Sequence, residues 1–151
     1  MLIENKSNSS YLTYCTNIHA AEEWYDVINK LKLFVPKIKK EVSNDKTFGL
    51  GLRLAASAAK DLCIKDNFYE FEDFLKKSNL YVFTINGFPY GNFHGKPVKE
   101  GAYKPDWSSD LRLNYTNVLG DHLSKLFPDG IDCSISTVPG TYKPGSYGGG
   151  G

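Results

Sequence analysis

From Leu80 to Ile85 the chain reads Leu-Tyr-Val-Phe-Thr-Ile, a near-continuous apolar run rich in β-branched and aromatic residues. Such a run predicts a strand buried on both faces, as in a parallel sheet covered by helices. Three other stretches read as strands. These are Tyr11–Cys15, Phe48–Leu54, where apolar residues alternate with Gly49, Gly51 and Arg53, and Ile131–Pro139. Between the strands the apolar positions change to helical spacing. Trp24, Val27, Ile28, Leu31, Leu33, Val35 and Ile38 predict helix within Ala20–Val42, bent or split at Pro36. Ala55–Cys63 is alanine-rich, and Phe68, Phe71, Phe74 and Leu75 pattern a helix over Phe68–Ser78. Leu111, Leu113, Tyr115, Val118, Leu119, Leu123 and Leu126 predict a last helix, capped by Ser108 or Ser109. The order β-α-β-α-β-α-β implies an α/β fold, with parallel strands joined by right-handed crossovers.

The flanks look different. Met1–Ser10 is polar and reads as a disordered lead-in, residues 11–139 as the folded unit, and Gly140–Gly151 (GTYKPGSYGGGG) as a flexible glycine- and serine-rich tail. Four βα-type units are half of an eight-stranded barrel, which needs about 250 residues. A half barrel of this kind is expected to leave two open strand edges and an apolar face, so the chain alone is expected to self-associate.

Composition narrows the class. The chain has 151 residues, 41% of them hydrophobic, and 18 basic against 17 acidic residues give a net charge of +1. Charges of both signs are mixed along it, which leaves no footprint for nucleic acid, and Lys37-Ile38-Lys39-Lys40 suits a helix C-terminus. Cys15, Cys63 and Cys133 are odd in number and lack a C-x-x-C pair. They read as small core residues in a reducing compartment, not as a disulfide or zinc framework. No apolar run has the length of a membrane span and no signal-peptide core is present, so a cytoplasmic protein that is not membrane-inserted is expected. No G-x-G-x-x-G follows the first strand, which removes the dinucleotide fingerprint.

The chemistry-bearing residues gather at the predicted strand ends. The strand at Leu80–Ile85 opens into a long loop of turn formers and aromatics, Asn86, Gly87, Phe88, Pro89, Tyr90, Phe93 and Tyr103, with His94 and Lys99 among them. Long loops after parallel strands line sites in α/β folds. Ligand-binding candidates are therefore Asn17, His19, Arg53, Asn86, His94, Lys99 and Thr137, all at or beyond strand ends. Arg53 needs an anion, supplied either by a ligand or by an internal carboxylate. Asn86 orients a ligand hydroxyl or bonds its own backbone in a turn. His19 and His94 have the chemistry of metal ligands or general bases, but no H-x-H or H-E-x-x-H supports a metal assignment, and no catalytic residue is assigned. Lys99 and Lys104 could neutralise a phosphate. His122, in mid-helix, reads as a packing or surface residue.

The strings LTYCTNIHAAEEW (Leu12–Trp24), FGLGLRLA (Phe48–Ala55), LYVFTINGFPYGNFHGKPVKEGAYKPDW (Leu80–Trp107) and SISTVPGTYKP (Ser134–Pro144) resemble the N-terminal part of the metabolite traffic protein EboE family. The resemblance implies a xylose isomerase-like (sugar phosphate isomerase/epimerase) TIM barrel, of which this chain is the first half and the glycine run a truncation point. It implies a small polar, sugar-like ligand at the C-terminal rim. A divalent metal is expected only in the full-length protein, its ligands lying mostly on later strands beyond this chain. The family is associated with a metabolite-export system that includes a prenyltransferase-like membrane protein. Two functions follow as expectations: an isomerase- or epimerase-like barrel whose fragment alone is inactive, or a non-catalytic component that docks other export proteins through the aromatic loop Phe88–Tyr103.

Overall fold

The computed structural model describes residues 2–5, 8–91 and 100–142. Its main sheet contains β3 (Thr13–Cys15), β4 (Phe48–Arg53), β5 (Leu80–Asn86) and β6 (Ser134–Ser136), all parallel and in the spatial order β3-β4-β5-β6. Helix α1 (Trp24–Val42) connects β3 to β4, α2 (Ala56–Asp61) and α3 (Lys65–Lys77) connect β4 to β5, and α4 (Asp110–Leu126) leads to β6. The chain is therefore α/β, with sequential parallel strands and helical crossovers, the arrangement of half a βα barrel.

Register separates the two faces of the sheet. Leu52, Ile85 and Ile135 lie side by side across three strands, between the rows Cys15–Gly51–Thr84–Ser134 and Arg53–Asn86–Ser136. Because side chains alternate along a strand, the apolar row and the two polar rows point to opposite sides. The apolar side is covered. One contiguous core joins Leu50, Leu52, Val82 and Ile85 to Trp24, Val27, Ile28 and Leu31 of α1, Ala58 and Ala59 of α2, Phe71 and Leu75 of α3, and Tyr115, Leu119 and Leu123 of α4. Trp24 meets Phe71 edge-on, with ring centres 5.3 Å apart.

The opposite side is mostly small or polar and open on its flanking strands, while on β4 Gly49, Gly51 and Arg53 are buried there too. Expected to be apolar, it carries Thr13, Cys15, Gly51, Thr84 and Ser134, with Tyr81 and Phe83 stacked 5.8 Å apart. Gly51 is required there, since a Cβ would sit 2.8 Å from Thr13 Oγ1. β5 is accordingly not buried on both faces. Leu80, Val82 and Ile85 are buried, whereas Tyr81, Phe83 and Thr84 are half-buried. A register shift opposite Leu50 and Gly51 leaves Phe83 as an extra residue and moves the pattern by one.

Several boundaries differ from expectation. Within the polar lead-in, β1 (Leu2–Asn5) and β2 (Asn8–Tyr11) pair antiparallel, with Leu2 opposite Tyr11. Tyr11 packs on Phe83 at 5.8 Å, which ties this hairpin to the open face and shortens the first parallel strand to β3. The last strand shrinks from Ile131–Pro139 to β6. Pro36 lies inside α1, which runs through it as one helix, and at its C-terminus Lys39 Nζ donates to Asn44 O at 2.7 Å. Cys15, Cys63 and Cys133 are exposed rather than in the core. Cys15 faces the open side, Cys63 follows the short α2, and Cys133 precedes β6.

The buried face of α4 is also displaced from the expected one. Arg112, Tyr115, Leu119, His122 and Leu123 are buried, while Leu111 and Leu113 are exposed. Spacings of three and four residues put those five on a single helical stripe, with two polar residues in it. No helix of the described residues is long and apolar enough to cross a membrane.

Candidate functional site

Parallel strands bring their C-terminal ends to one rim, and the register places Arg53, Asn86 and Ser136 there in one row. His19 belongs to the same end, sharing a small cavity with Thr16, Ala21 and Arg53. Asn17 is exposed in the single turn Thr16–Ile18 that follows β3, and Thr137 is exposed just after β6. His94 and Lys99 lie outside the described residues.

Arg53 resolves to the internal alternative. Its side chain is buried, with Nη1 and Nη2 donating to the two carboxylate oxygens of Glu22 at 3.3 and 3.2 Å. Further bonds reach Ala21 O at 3.0 Å and Gly91 O at 3.1 Å. Its backbone N–H donates to Thr16 Oγ1 at 2.9 Å, and Ser57 Oγ donates to Glu22 O at 2.9 Å. The guanidinium thus fastens the loop after β3 to the loop after β5. A bidentate pair suits this, because two parallel N–H bonds fix both position and orientation.

His19 is held by its neighbours. Its Nε2 lies 3.0 Å from Tyr14 Oη, and its ring stacks on Phe34 at 4.9 Å. Burial, reinforced by Lys30, lowers its pKa and favours neutral imidazole. Asn86 does turn work: its Oδ1 accepts from Phe88 N–H at 3.0 Å and from Ser136 Oγ at 3.1 Å. With the oxygen so occupied, the amide is fixed in orientation, and its Nδ2 has no partner among the described residues. Beside it Thr84 Oγ1 and Ser134 Oγ are 2.9 Å apart. Gly87 has to be glycine to let β5 leave the sheet here, since a Cβ would come within 2.7 Å of Leu119 and 2.9 Å of Ser136 O.

Arg112, which had no place among the candidates, is fully buried beneath this rim. Its Nη1 donates to Gly87 O and its Nε to Pro105 O, both at 2.8 Å. It thereby clasps the two ends of the segment that joins β5 to α4. The guanidinium carbon lies 5.7 Å from the Tyr90 ring centre and 5.4 Å from that of Tyr115. Tyr115 donates its hydroxyl proton to Leu54 O, and burial raises its pKa. Nη2 of Arg112 is buried with no hydrogen-bond partner, and no carboxylate pairs with Arg112 among the described residues. The sequence signal was available: Arg112 stands on the same stripe as Tyr115, Leu119 and His122.

The far end of the segment is a knot around buried Asp106. Its carboxylate accepts from Lys104 Nζ, from Ser108 N–H at 3.1 Å, from Ser108 Oγ at 2.5 Å and from Thr141 Oγ1 at 2.5 Å. Those bonds, Lys104 first, hold the carboxyl well below the usual carboxylate range. Lys104 is therefore committed to Asp106. Trp107 adds bonds to Val138 O (2.8 Å) and Gly140 O (3.2 Å), pinning the segment that follows β6. The aromatics also pack on each other, Phe88 on Tyr103 at 5.5 Å and Tyr103 on Tyr142 at 5.1 Å.

Away from the rim, Leu62, Cys63, Phe68, Tyr69, His122 and Lys125 line a cleft between helices. His122 is a packing residue there: its Nε2 lies 2.7 Å from Ala59 O and 3.8 Å from Cys63 Sγ. The short contact assigns the ring proton to Nε2, so that nitrogen is no base for the thiol. No group of three or more His, Cys, Asp or Glu among the described residues is placed to hold a metal ion. No family model, curated protein or solved structure matches the chain.

Proposed function

We propose that the chain binds a small polyhydroxylated metabolite at the C-terminal rim of the sheet, as part of a xylose isomerase-like TIM barrel of the kind its motifs resemble in EboE proteins. The observation that carries this reading is Asn86. Its oxygen is locked by Phe88 N–H and Ser136 Oγ, its Nδ2 is uncommitted among the described residues, and Thr84 and Ser134 add hydroxyls two register rows away on the same face. Oriented amides and hydroxyls suit sugar hydroxyls, each of which both donates and accepts. Arg53 and His19 serve as scaffold in this reading, because both Nη atoms of Arg53 and Nε2 of His19 already have protein partners, Arg53 Nε alone of that guanidinium being buried without one. Whether the complete protein catalyses isomerisation or epimerisation, with a divalent metal held by later strands, belongs to the same proposal. The docking alternative has weaker support, since Phe88 and Tyr103 are spent on packing within the chain.

The test is an NMR and thermal-shift titration of the chain with neutral polyols, ribitol and xylose among them. The reading expects saturable shifts at the Asn86 side-chain amide, and affinity reduced about three- to tenfold in Asn86→Ala, the loss of one neutral hydrogen bond. Polyols that leave the Asn86 amide unmoved would refute it.

A further inference from the structure

Every N–H of a buried guanidinium needs an acceptor, since an unmet one forfeits its hydration without replacement. Arg112 meets this need at two of its nitrogens through Gly87 O and Pro105 O, and at its faces through Tyr90 and Tyr115. Nη2 is left over. Nor does a carboxylate form an ion pair with it among the described residues, although the charge of Asp106 acts on it from nearby. Arg53 is matched by Glu22 and Lys104 by Asp106, whereas Arg112 has two neutral carbonyls and two ring faces. Carbonyls satisfy donors but do not neutralise a cation. The arrangement sits directly below the Arg53–Asn86–Ser136 row, because Gly87, which accepts from Nη1, is the residue after Asn86 and donates its own N–H to Ser136 O at 2.9 Å. Tyr90, in contact with the guanidinium, is half-buried, and Gly91 beside it is exposed.

We propose that Arg112 is an oxyanion-binding residue, and that the rim ligand carries a carboxylate or phosphate that Nη2 engages once the Tyr90 ring turns aside. This rests on the rim-site reading and adds the charge class of the ligand. The other two arms of Arg112 fix the fork in advance, so its third arm is presented without rotamer cost. A charge-assisted bond of this kind in a desolvated setting makes the anionic ligand about tenfold to a hundredfold tighter than its neutral analogue.

The experiment follows the guanidinium resonances of Arg112 in the wild-type chain during titration with ribitol, gluconate, ribose 5-phosphate and inorganic phosphate. Gluconate or ribose 5-phosphate is expected to shift the Arg112 signals and to bind at least tenfold tighter than ribitol. The stronger of the two identifies carboxylate or phosphate as the group recognised. Arg112→Lys, first shown to be folded by its amide spectrum, is expected to lose that preference while still binding ribitol, because an ammonium does not reproduce the fork. Equal affinity for ribitol and both anionic sugars, with Arg112 unmoved, overturns the oxyanion assignment and leaves the rim site standing. Failure of every polyol, neutral or charged, overturns both. Inorganic phosphate binding with the Arg112 signals unmoved, an adventitious ion only, also overturns the assignment.

Discussion

On the helix side of the sheet, Leu50, Leu52, Val82 and Ile85 lose all contact with solvent against side chains from four helices. On the other side, the same strands carry threonine, serine, cysteine and glycine, with the Tyr81–Phe83 stack reached by Tyr11 of the hairpin. Residues one position apart thus belong to different regimes. The first side obtains its free energy from apolar area removed from water, the second presents hydrogen-bonding groups and space. Substitutions can therefore be sorted by the face they touch, those on the covered side acting on stability and those at the other side's rim on the proposed binding.

The largest effect is expected in the covered face. Leu52→Ala removes a fully buried side chain from the centre of the core and should cost about 2–5 kcal/mol in chemical denaturation. Next comes the latch between the loops. Glu22→Ala leaves the Arg53 guanidinium buried without a counter-charge, and a fully buried pair broken this way costs about 3–5 kcal/mol. The Glu22 side chain retains 23% exposure, so a loss nearer ~2 kcal/mol is expected from the same measurement. Both contrast with Thr84→Ala on the open face, which removes one hydroxyl contact to Ser134 and should move stability by less than about 1 kcal/mol. A loss at Thr84 as large as that at Leu52 would mean that the open face is packed.

A smaller effect, read by pH, separates the faces from another direction. Burial lowers the pKa of His122, with Lys125 adding to the effect and the bond to Ala59 and the charge of Asp121 opposing it. His19 is lowered too, by burial and Lys30. A histidine depressed in the folded state binds fewer protons there than in the unfolded chain, so stability rises with pH through that window. Full stability is expected above about pH 6.5, the ordinary histidine value, with progressive loss as pH falls below it toward the folded values. Melting temperatures from about pH 7 down to about pH 5 check this, and His122→Gln should flatten the profile. An unchanged slope in that variant would assign the dependence to His19.

How much of this was legible in the residues depends on the same division. The alternation of Phe48–Leu54 and the helical spacings around Trp24 and Phe71 specify one buried side each, so the order and direction of the strands follow from them. The open face was not legible, because a strand read alone does not reveal that Phe83 is an extra residue opposite Leu50 and Gly51, nor that Tyr11 folds back onto it. In α4, hydrophobicity pointed to Leu111 and Leu113, whereas the buried stripe admits Arg112 and His122 because backbone carbonyls receive them. Arg53 and Asn86 were found as rim residues from their positions at strand ends. Their roles needed coordinates, since Glu22 lies 31 positions from Arg53 and Ser136 50 from Asn86.

The proposed ligand site is the rim of the open face and not the helix side, where the cleft around Cys63 and His122 lies. Mapping backbone and side-chain NMR shifts across the chain at saturating gluconate and ribose 5-phosphate tests this most directly. Perturbations confined to the C-terminal rim are expected, with Asn86, Ser136, Tyr90 and Arg112 the most affected and Cys63, Phe68 and His122 unchanged. Perturbations centred on Cys63, Phe68 and His122, with the Asn86–Ser136 row silent, would contradict it.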